Sequence, residues 1–309
     1  MTSFKGKVFN FAVRNSYLLR AKLKKETFTM NTSIEKFRED CEKGAARSAK
    51  IPKNIQIKEQ FIEGIKSEWL IPDGANPEKL ILYIHGGGYV SGSCSDHRGF
   101  VSKFAKFTGV KNLIFEYRLA PENPFPAALD DSVKIYNWLL ASGYQPENIL
   151  MAGESAGGGL CLATLLELKE KKFPLPVAAI AISPWTDLTC SGESYKTKNR
   201  FSPAPLNSWN VFSKHYCGNT PASHPFISPL FGNLKGLPPL FINSAKNDEL
   251  FDDGEEFSRK ATNAGVEVTF RAGENMIHCY PLMAPMFSEA TEAMNEIVEF
   301  VKFHLKMRT

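Results

Sequence analysis

The run Ile149-Leu150-Met151-Ala152-Gly153-Glu154-Ser155-Ala156-Gly157-Gly158-Gly159-Leu160 decides how the rest of the chain is read. An apolar segment of strand type leads into a serine set between glycines. The residues that follow, Leu160-Cys161-Leu162-Ala163-Thr164-Leu165-Leu166-Glu167-Leu168, read as a buried helix. A strand that turns at once into a helix holds its corner residue in a cramped backbone, which flanking glycines tolerate because they carry no Cβ. The corner hydroxyl is thereby pushed out above the sheet edge, and the amides opening the new helix, Ala156 first, face the place where an oxyanion would develop. Gly-x-Ser-x-Gly also occurs in ordinary turns, so the strand before Ser155 and the helix after it carry the reading of Ser155 as a nucleophile.

Outward from this motif the chain alternates strands and helices. Residues 55–62 and 65–72, with a turn at Gly64, read as an antiparallel hairpin, and 80–84 is a continuous apolar run of the kind buried on both faces. Further strands are expected at 112–117, 177–182, 239–244 and 266–270, and helices at about 98–108, 125–140, 252–264 and 288–305. This order implies one mostly parallel sheet covered on both faces. The first fifty residues look helical and separate, with Thr32-Ser33-Ile34-Glu35 as a capping box in which Thr32 caps and Glu35 reaches back, opening a helix to about Arg47. Between Trp185 and Ser228 periodicity fades and aromatics, serines and prolines accumulate, the signature of a lid or binding insertion.

Composition limits the alternatives. With 309 residues and 43% hydrophobic content the chain can bury a substantial core. The net charge of +4 is uneven, since the first thirty residues hold seven Lys and Arg (Lys5, Lys7, Arg14, Arg20, Lys22, Lys24, Lys25) against Glu26. No interleaving of aromatic and basic residues recurs elsewhere, so this start reads as a solvated helix face; neither nucleic acid nor stable membrane insertion is expected. The apolar run 8–13 is too short, and too soon interrupted by Arg14, for a signal peptide, and no run is long enough to span a bilayer. Six cysteines without Cys-x-x-Cys spacing read as reduced thiols of a cytoplasmic protein, with no metal and no cofactor expected.

A serine nucleophile needs a base, and the base needs a group that holds its tautomer. Of six histidines, His278 alone follows the last strand, at the edge where a parallel sheet concentrates its chemistry. The acid should fall between serine and histidine, where Asp248, Glu249, Asp252 and Asp253 compete. Asp248 comes first off the strand end, whereas Asp252 and Asp253 look like first-turn residues of the next helix. The glycines of His85-Gly86-Gly87-Gly88-Tyr89 follow a buried strand and can present amides to an oxyanion; a hinge or phosphate loop is the alternative, but the Lys-Ser/Thr of a phosphate loop is absent.

Taken together, His85-Gly86-Gly87-Gly88, Tyr117-Arg118-Leu119-Ala120-Pro121-Glu122 with Phe125 to Asp131, Gly153-Glu154-Ser155-Ala156-Gly157-Gly158, and Asp248-x-Leu250-x-Asp252 with His278 resemble the hormone-sensitive-lipase-like esterases over nearly the whole chain. Ser183-Pro184-Trp185-Thr186-Asp187-Leu188 and Leu237-Pro238-Pro239-Leu240 look most like the acetyl esterase and ε-lactone hydrolase branch. The resemblance implies an eight-stranded α/β-hydrolase fold, with residues 1–50 and an insertion at about 186–222 forming a helical cap over a catalytic domain of 51–309. It implies Ser155, Asp248 and His278 as catalytic triad, amides of Gly86, Gly87, Gly88 and Ala156 as oxyanion hole, and His85, Arg118, Glu122 and Asp130 as loop-bracing groups. The sequence departs from the family where Glu154 replaces the common Asp or Thr, and where Ala245 replaces a glycine before the acid. The expected substrate is a small ester of short to medium acyl chain, with a lactone or aryl amide, or a non-catalytic ligand, as the other readings. Either a monomer or a homodimer is compatible with these features.

Overall fold

Every residue of Leu80–Ile84 (β3), Lys111–Phe115 (β4), Ile149–Glu154 (β5) and Ala178–Ile182 (β6) is buried, because these strands form the middle of a sheet with helices on both faces. The computed structural model describes residues 2–15, 25–48, 50–202 and 204–307; Arg20, Lys22 and Lys24 lie outside these. Ile55–Ile62 (β1) and Ile65–Pro72 (β2) make the expected hairpin, and Leu240–Ala245 (β7) and Val268–Gly273 (β8) complete an eight-stranded sheet of order β1-β2-β4-β3-β5-β6-β7-β8. Only the β1/β2 and β2/β4 pairings are antiparallel.

The helices are Phe4–Arg14 (α1), Ile34–Ser48 (α2), Cys94–Thr108 (α3), Ala127–Ala141 (α4), Ala156–Glu170 (α5), the short Ser194–Thr197 (α6), Ser208–Cys217 (α7), Phe251–Asn263 (α8) and Ser288–His304 (α9). The alternation of β3 divides the core. Leu80, Leu82 and Ile84 pack with Leu129 and Tyr136 of α4, Leu160 and Leu165 of α5 and Phe257 of α8. Ile81 and Tyr83 pack with Phe104 of α3 and Ile297 and Val301 of α9. Because β3 lies between β4 and β5, the connection from β3 to β4 and the one from β4 to β5 run in opposite directions across the sheet, and the crevice at the carboxyl ends of β3 and β5 is where such a fold binds ligands.

Two distant segments meet above that crevice. Phe28 N donates to Leu206 O (2.8 Å), Leu206 N donates to Glu26 O (2.8 Å), and Asn207 Nδ2 donates to Phe28 O (3.0 Å). The ring of Phe28 lies 5.4 Å from that of Phe37 and 5.8 Å from that of Phe212, and Phe37 and Phe212 are 5.3 Å apart. Arg38 of α2 ties this cluster to the loops that follow β3 and β4, donating to Val90 O (2.6 Å) and Ala120 O (2.8 Å) and pairing with Glu122 (2.6 Å).

The N-terminal helices differ from expectation in two details. Helix α2 begins one residue later than the capping box implied: Ser33 Oγ accepts from Lys36 N (3.1 Å), while Thr32 Oγ1 accepts from Thr29 N (2.9 Å) in the preceding turn. Helix α1 has the expected solvated face, with Lys5, Lys7 and Arg14 exposed, but that face is not wholly polar. Its inner side rests on α9, with Phe9 5.2 Å from Phe287 and Ser3 Oγ donating to Glu289 (2.7 Å), yet Phe4, Val8 and Phe11 point outward.

Candidate active site

Ser155 sits between β5 and α5 with φ +56° and ψ −124°, a conformation costly for a residue with a side chain. Three backbone bonds hold it there: its N donates to Ile182 O (2.9 Å), and Trp185 N (3.0 Å) and Gly159 N (3.1 Å) donate to its carbonyl. The flanking glycines answer to space. A Cβ on Gly157 would stand 2.2 Å from Ile84 O, and one on Gly153 2.4 Å from Gly157 O, so the turn closes only without side chains there. The strand-turn-helix context expected for the nucleophile is thus present in full.

The loop after β8 brings His278 to the same sheet end. His278 Nδ1 donates to Asp248 Oδ2 (2.7 Å), which fixes the tautomer and leaves Nε2 as the ring nitrogen available to a reacting proton. The two loops are knitted by Lys246 N to Gly273 O (3.0 Å) and Asn247 N to Met276 O (3.0 Å), which hold the segments of Asp248 and His278 together. Cys279 N donates to Ser183 Oγ (3.1 Å), and Ser183 follows the Ile182 whose carbonyl holds Ser155, which joins the His278 loop to the end of β6, the strand beside the one that carries Ser155. Burial opposes a charge on His278, but the Asp248 carboxylate and the Cys279 thiol, by charge and hydrogen bonding together, outweigh it and raise the imidazole pKa well above its ordinary range. Ala245 completes β7 fully buried and paired with Gly273, so its methyl is accommodated without displacing the acid.

The rival carboxylates have other work. Asp253 Oδ2 accepts from Thr186 N (2.8 Å) and Asp187 N (2.7 Å), bracing the start of the insertion, and Asp252 Oδ2 accepts from Ser194 N (2.8 Å). Glu249 accepts from the indole Nε1 of Trp209 (3.0 Å), whose ring stands 5.8 Å from that of His278 and 5.0 Å from that of Trp185. Burial pushes the Glu249 carboxyl up. Sequence reasoning missed this Trp209 contact because nothing local marks residue 209 as a neighbour of residue 278.

The glycine loop lies directly across from Ser155, where a Cβ on Gly86 would come 3.2 Å from Ser155 Cβ. Here one expected donor is corrected: the Gly86 amide already donates to Glu154 Oε1 (2.7 Å) and is not available to an oxyanion. The amides of Gly87, Gly88 and Ala156 donate to no protein acceptor among the described residues. Gly87 and Gly88 have φ +116° and +65°, and a Cβ on Gly88 would stand 2.5 Å from the Phe212 ring, so the cluster of Phe28, Phe37 and Phe212 closes directly onto the loop.

Glu154 belongs to a buried charged group that the sequence did not announce. His97 Nε2 approaches its Oε1 (3.1 Å) while His97 Nδ1 bonds Asp96, itself the partner of Ser93 in the cap of α3. Burial opposes charge on His97, yet these two hydrogen-bonded carboxylates raise it to about 10, so it is an imidazolium at neutral pH. His85, beside it, is lowered to about 4 by burial and by that charge. It stacks on Tyr117 (4.2 Å) and bonds Gly86 O through Nδ1 (2.8 Å), a bracing role. Arg118 also braces, but its partner is the buried Asp131 (2.8 Å) and not Asp130, which is exposed one residue earlier on α4.

A strained serine at a strand-helix corner, a buried carboxylate-imidazole pair at the same sheet end and a glycine loop opposite define a serine hydrolase site on a parallel sheet. The sequence profile of the α/β hydrolase fold matches residues 81–282, and the chain belongs to that family and, within it, to the hormone-sensitive-lipase-like esterases. It is 37% identical to an acetyl-hydrolase of Streptomyces hygroscopicus over 76% of this chain and 79% of that one. Among solved structures it is similar to EstE5 soaked with p-nitrophenyl butyrate, at TM-score 0.90 and 36% identity, covering 98% of this chain and 99% of that one. It also resembles an esterase of the bacterial hormone-sensitive lipase family, at TM-score 0.89 and 33% identity, covering 99% of each chain.

Proposed function

We propose that this carboxylic ester hydrolase works through Ser155, His278 and Asp248 by way of an acyl-enzyme. The observation that carries the reading is the hydrogen bond from His278 Nδ1 to Asp248 (2.7 Å) at the sheet end that holds Ser155. His278 Nε2 takes the Ser155 proton as Oγ attacks the ester carbonyl, and the amides of Gly87, Gly88 and Ala156 receive the oxyanion. The tetrahedral intermediate expels the alcohol, which leaves with the proton from His278. Water, deprotonated by the same nitrogen, then releases the acid and restores the serine. Asp248 keeps its charge throughout and stabilises the imidazolium.

Residues 1–50 and the insertion at about 186–222 act together as a cap on the catalytic domain, a reading supported by the bonds between Phe28 and Leu206 and by the cluster of Phe28, Phe37 and Phe212. An aromatic wall this close to Gly88 favours acyl groups from acetyl to about hexanoyl, each methylene contributing roughly 0.8 kcal/mol until the wall is reached. The acetyl-hydrolase relative and the butyrate ester soaked into EstE5 agree with that range. A fluorophosphonate probe should label the enzyme at Ser155 and leave Ser155→Ala unlabelled, and rates across dissolved p-nitrophenyl esters should peak at short chains. Labelling that survives in Ser155→Ala, or faster hydrolysis of emulsified long-chain triglyceride than of dissolved butyrate, would refute the assignment or the pocket size respectively.

A further inference from the structure

We propose that helix α1 docks the enzyme reversibly on an anionic lipid surface, its outward stripe of Phe4, Val8 and Phe11 entering the headgroup layer. The three side chains are 80%, 51% and 69% exposed. At 100° per residue they fall within about 60° of one another around the helix, a continuous apolar ridge and not scattered exposure. The opposite side is occupied: Gly6 is buried, with any Cβ 3.1 Å from Glu289 Oε2, Phe9 packs on Phe287, and Asn10 Nδ2 donates to Asn275 O (2.6 Å). The ridge therefore faces away from the protein because the helix is anchored that way round.

The chemistry of the borders selects the partner. Lys5 and Lys7, both exposed, fall on opposite sides of the ridge, and α1 contains no acidic residue. In the first thirty residues seven Lys and Arg face a single Glu, although the chain as a whole is only +4. Apolar side chains flanked by lysines match a layer of acyl chains under negative headgroups, the pattern of a helix lying in a membrane interface. A second copy of the chain would instead bring like charges together at the same ridge. No helix among the described residues is long and apolar enough to cross a membrane, so the attachment is peripheral.

Position gives the contact a use. A groove of about 370 Å³ runs from Phe11 and Arg14 to Asn247 and Ile277, the neighbours of Asp248 and His278. The docked ridge would thus set the loops of acid and base close to the lipid, where apolar esters concentrate. This requires no opening of the cap and is independent of which residues do the chemistry.

The test is sedimentation of the full-length protein with vesicles of phosphatidylcholine alone and of phosphatidylcholine with about one-third phosphatidylglycerol. Binding is expected to the anionic vesicles only, weakening several-fold between about 0.1 and 0.5 M salt. Phe4→Ser/Phe11→Ser should weaken it at least about tenfold, and Lys5→Glu/Lys7→Glu comparably, with Tm unchanged in both because the side chains are exposed. Failure of the wild type to bind anionic vesicles at low salt overturns the proposal, as does binding that the double Phe variant leaves intact. Concentration-dependent dimerisation abolished by Phe4→Ser/Phe11→Ser, without vesicle binding, would assign the ridge to self-association and overturn it as well.

Discussion

Replacing Glu154 tests how the nucleophile's neighbour governs the oxyanion loop. The side chain is 6% exposed and accepts both from the Gly86 amide (2.7 Å) and from the His97 imidazolium (3.1 Å). In Glu154→Ala the Gly86 N–H loses its acceptor in a dry site, at about 1–3 kcal/mol, and a buried ion pair is broken, which typically costs about 3–5 kcal/mol. His97 can release its proton and Asp96 remains beside it, so the two losses do not add, and about 3–5 kcal/mol in total is expected. For a chain of this length that corresponds to a fall in Tm of about 5–8 °C. Glu154→Gln keeps an acceptor for Gly86 and loses only the charge, at about 1–3 kcal/mol. Activity should separate the two variants further. Without its anchor the loop can shift Gly87 and Gly88 by a fraction of an ångström, lowering kcat about 10- to 100-fold in the alanine variant, with KM nearly unchanged. The glutamine variant should stay within about tenfold of wild type. Scanning calorimetry and steady-state kinetics on a dissolved acetate ester measure both effects. A folded Glu154→Ala enzyme with wild-type Tm and kcat within twofold would refute the claim that this carboxylate holds the loop.

Other outcomes follow from the same geometry. Since His278 must be neutral to accept a proton and Asp248 raises its pKa, kcat/KM should climb with pH through a value above the ordinary 6.5 of histidine; a limb centred below 6.5 would contradict the pairing. His97, raised to about 10, contributes stability that is complete below about pH 6.5 and lost as pH rises toward 10, so Tm should decline across that window and decline less in His97→Gln. Asp248→Asn should lower kcat by on the order of 10⁴ in an intact fold, whereas Asp253→Asn should chiefly lower Tm, because its carboxylate braces Thr186 and Asp187; the reverse result would exchange their roles. Cys279 is buried, its Sγ lies 3.9 Å from Ile182 O and burial pushes its thiol up, so Cys279→Ala should keep kcat within about tenfold and iodoacetamide should spare the native thiol.

Much of this arrangement is legible in the sequence alone. The hairpin and β3 were readable residue for residue, because alternation and a five-residue apolar run leave little freedom of register. Ser155, Asp248 and His278 were chosen by their places after strand ends, and the structure brings Asp248 and His278 into contact and ties the base to the strand end holding Ser155. The misreadings came where one residue of offset changes the partner without changing the pattern: Asp131 for Asp130, and Ser33 for Thr32. The Gly86 amide was misassigned because a carboxylate 68 positions away consumes it, a competition that no local rule exposes. The solvated face of α1 carries apolar residues as well, which a count of its charges does not reveal and the spacing of Phe4, Val8 and Phe11 does.

The pairing of Phe28 with Leu206 also bears on how the chain is made. The partners are 178 positions apart, and at about 5–20 residues per second a ribosome needs roughly 10–35 s to supply the second after the first. Through that interval Phe28 and Phe37 lack the Phe212 ring against which they rest in the finished protein. Residues 25–48 are therefore among the last parts to settle, open meanwhile to chaperones and proteases. Nascent chains halted before Leu206 should be cut between residues 25 and 48 by added protease, while completed chains resist.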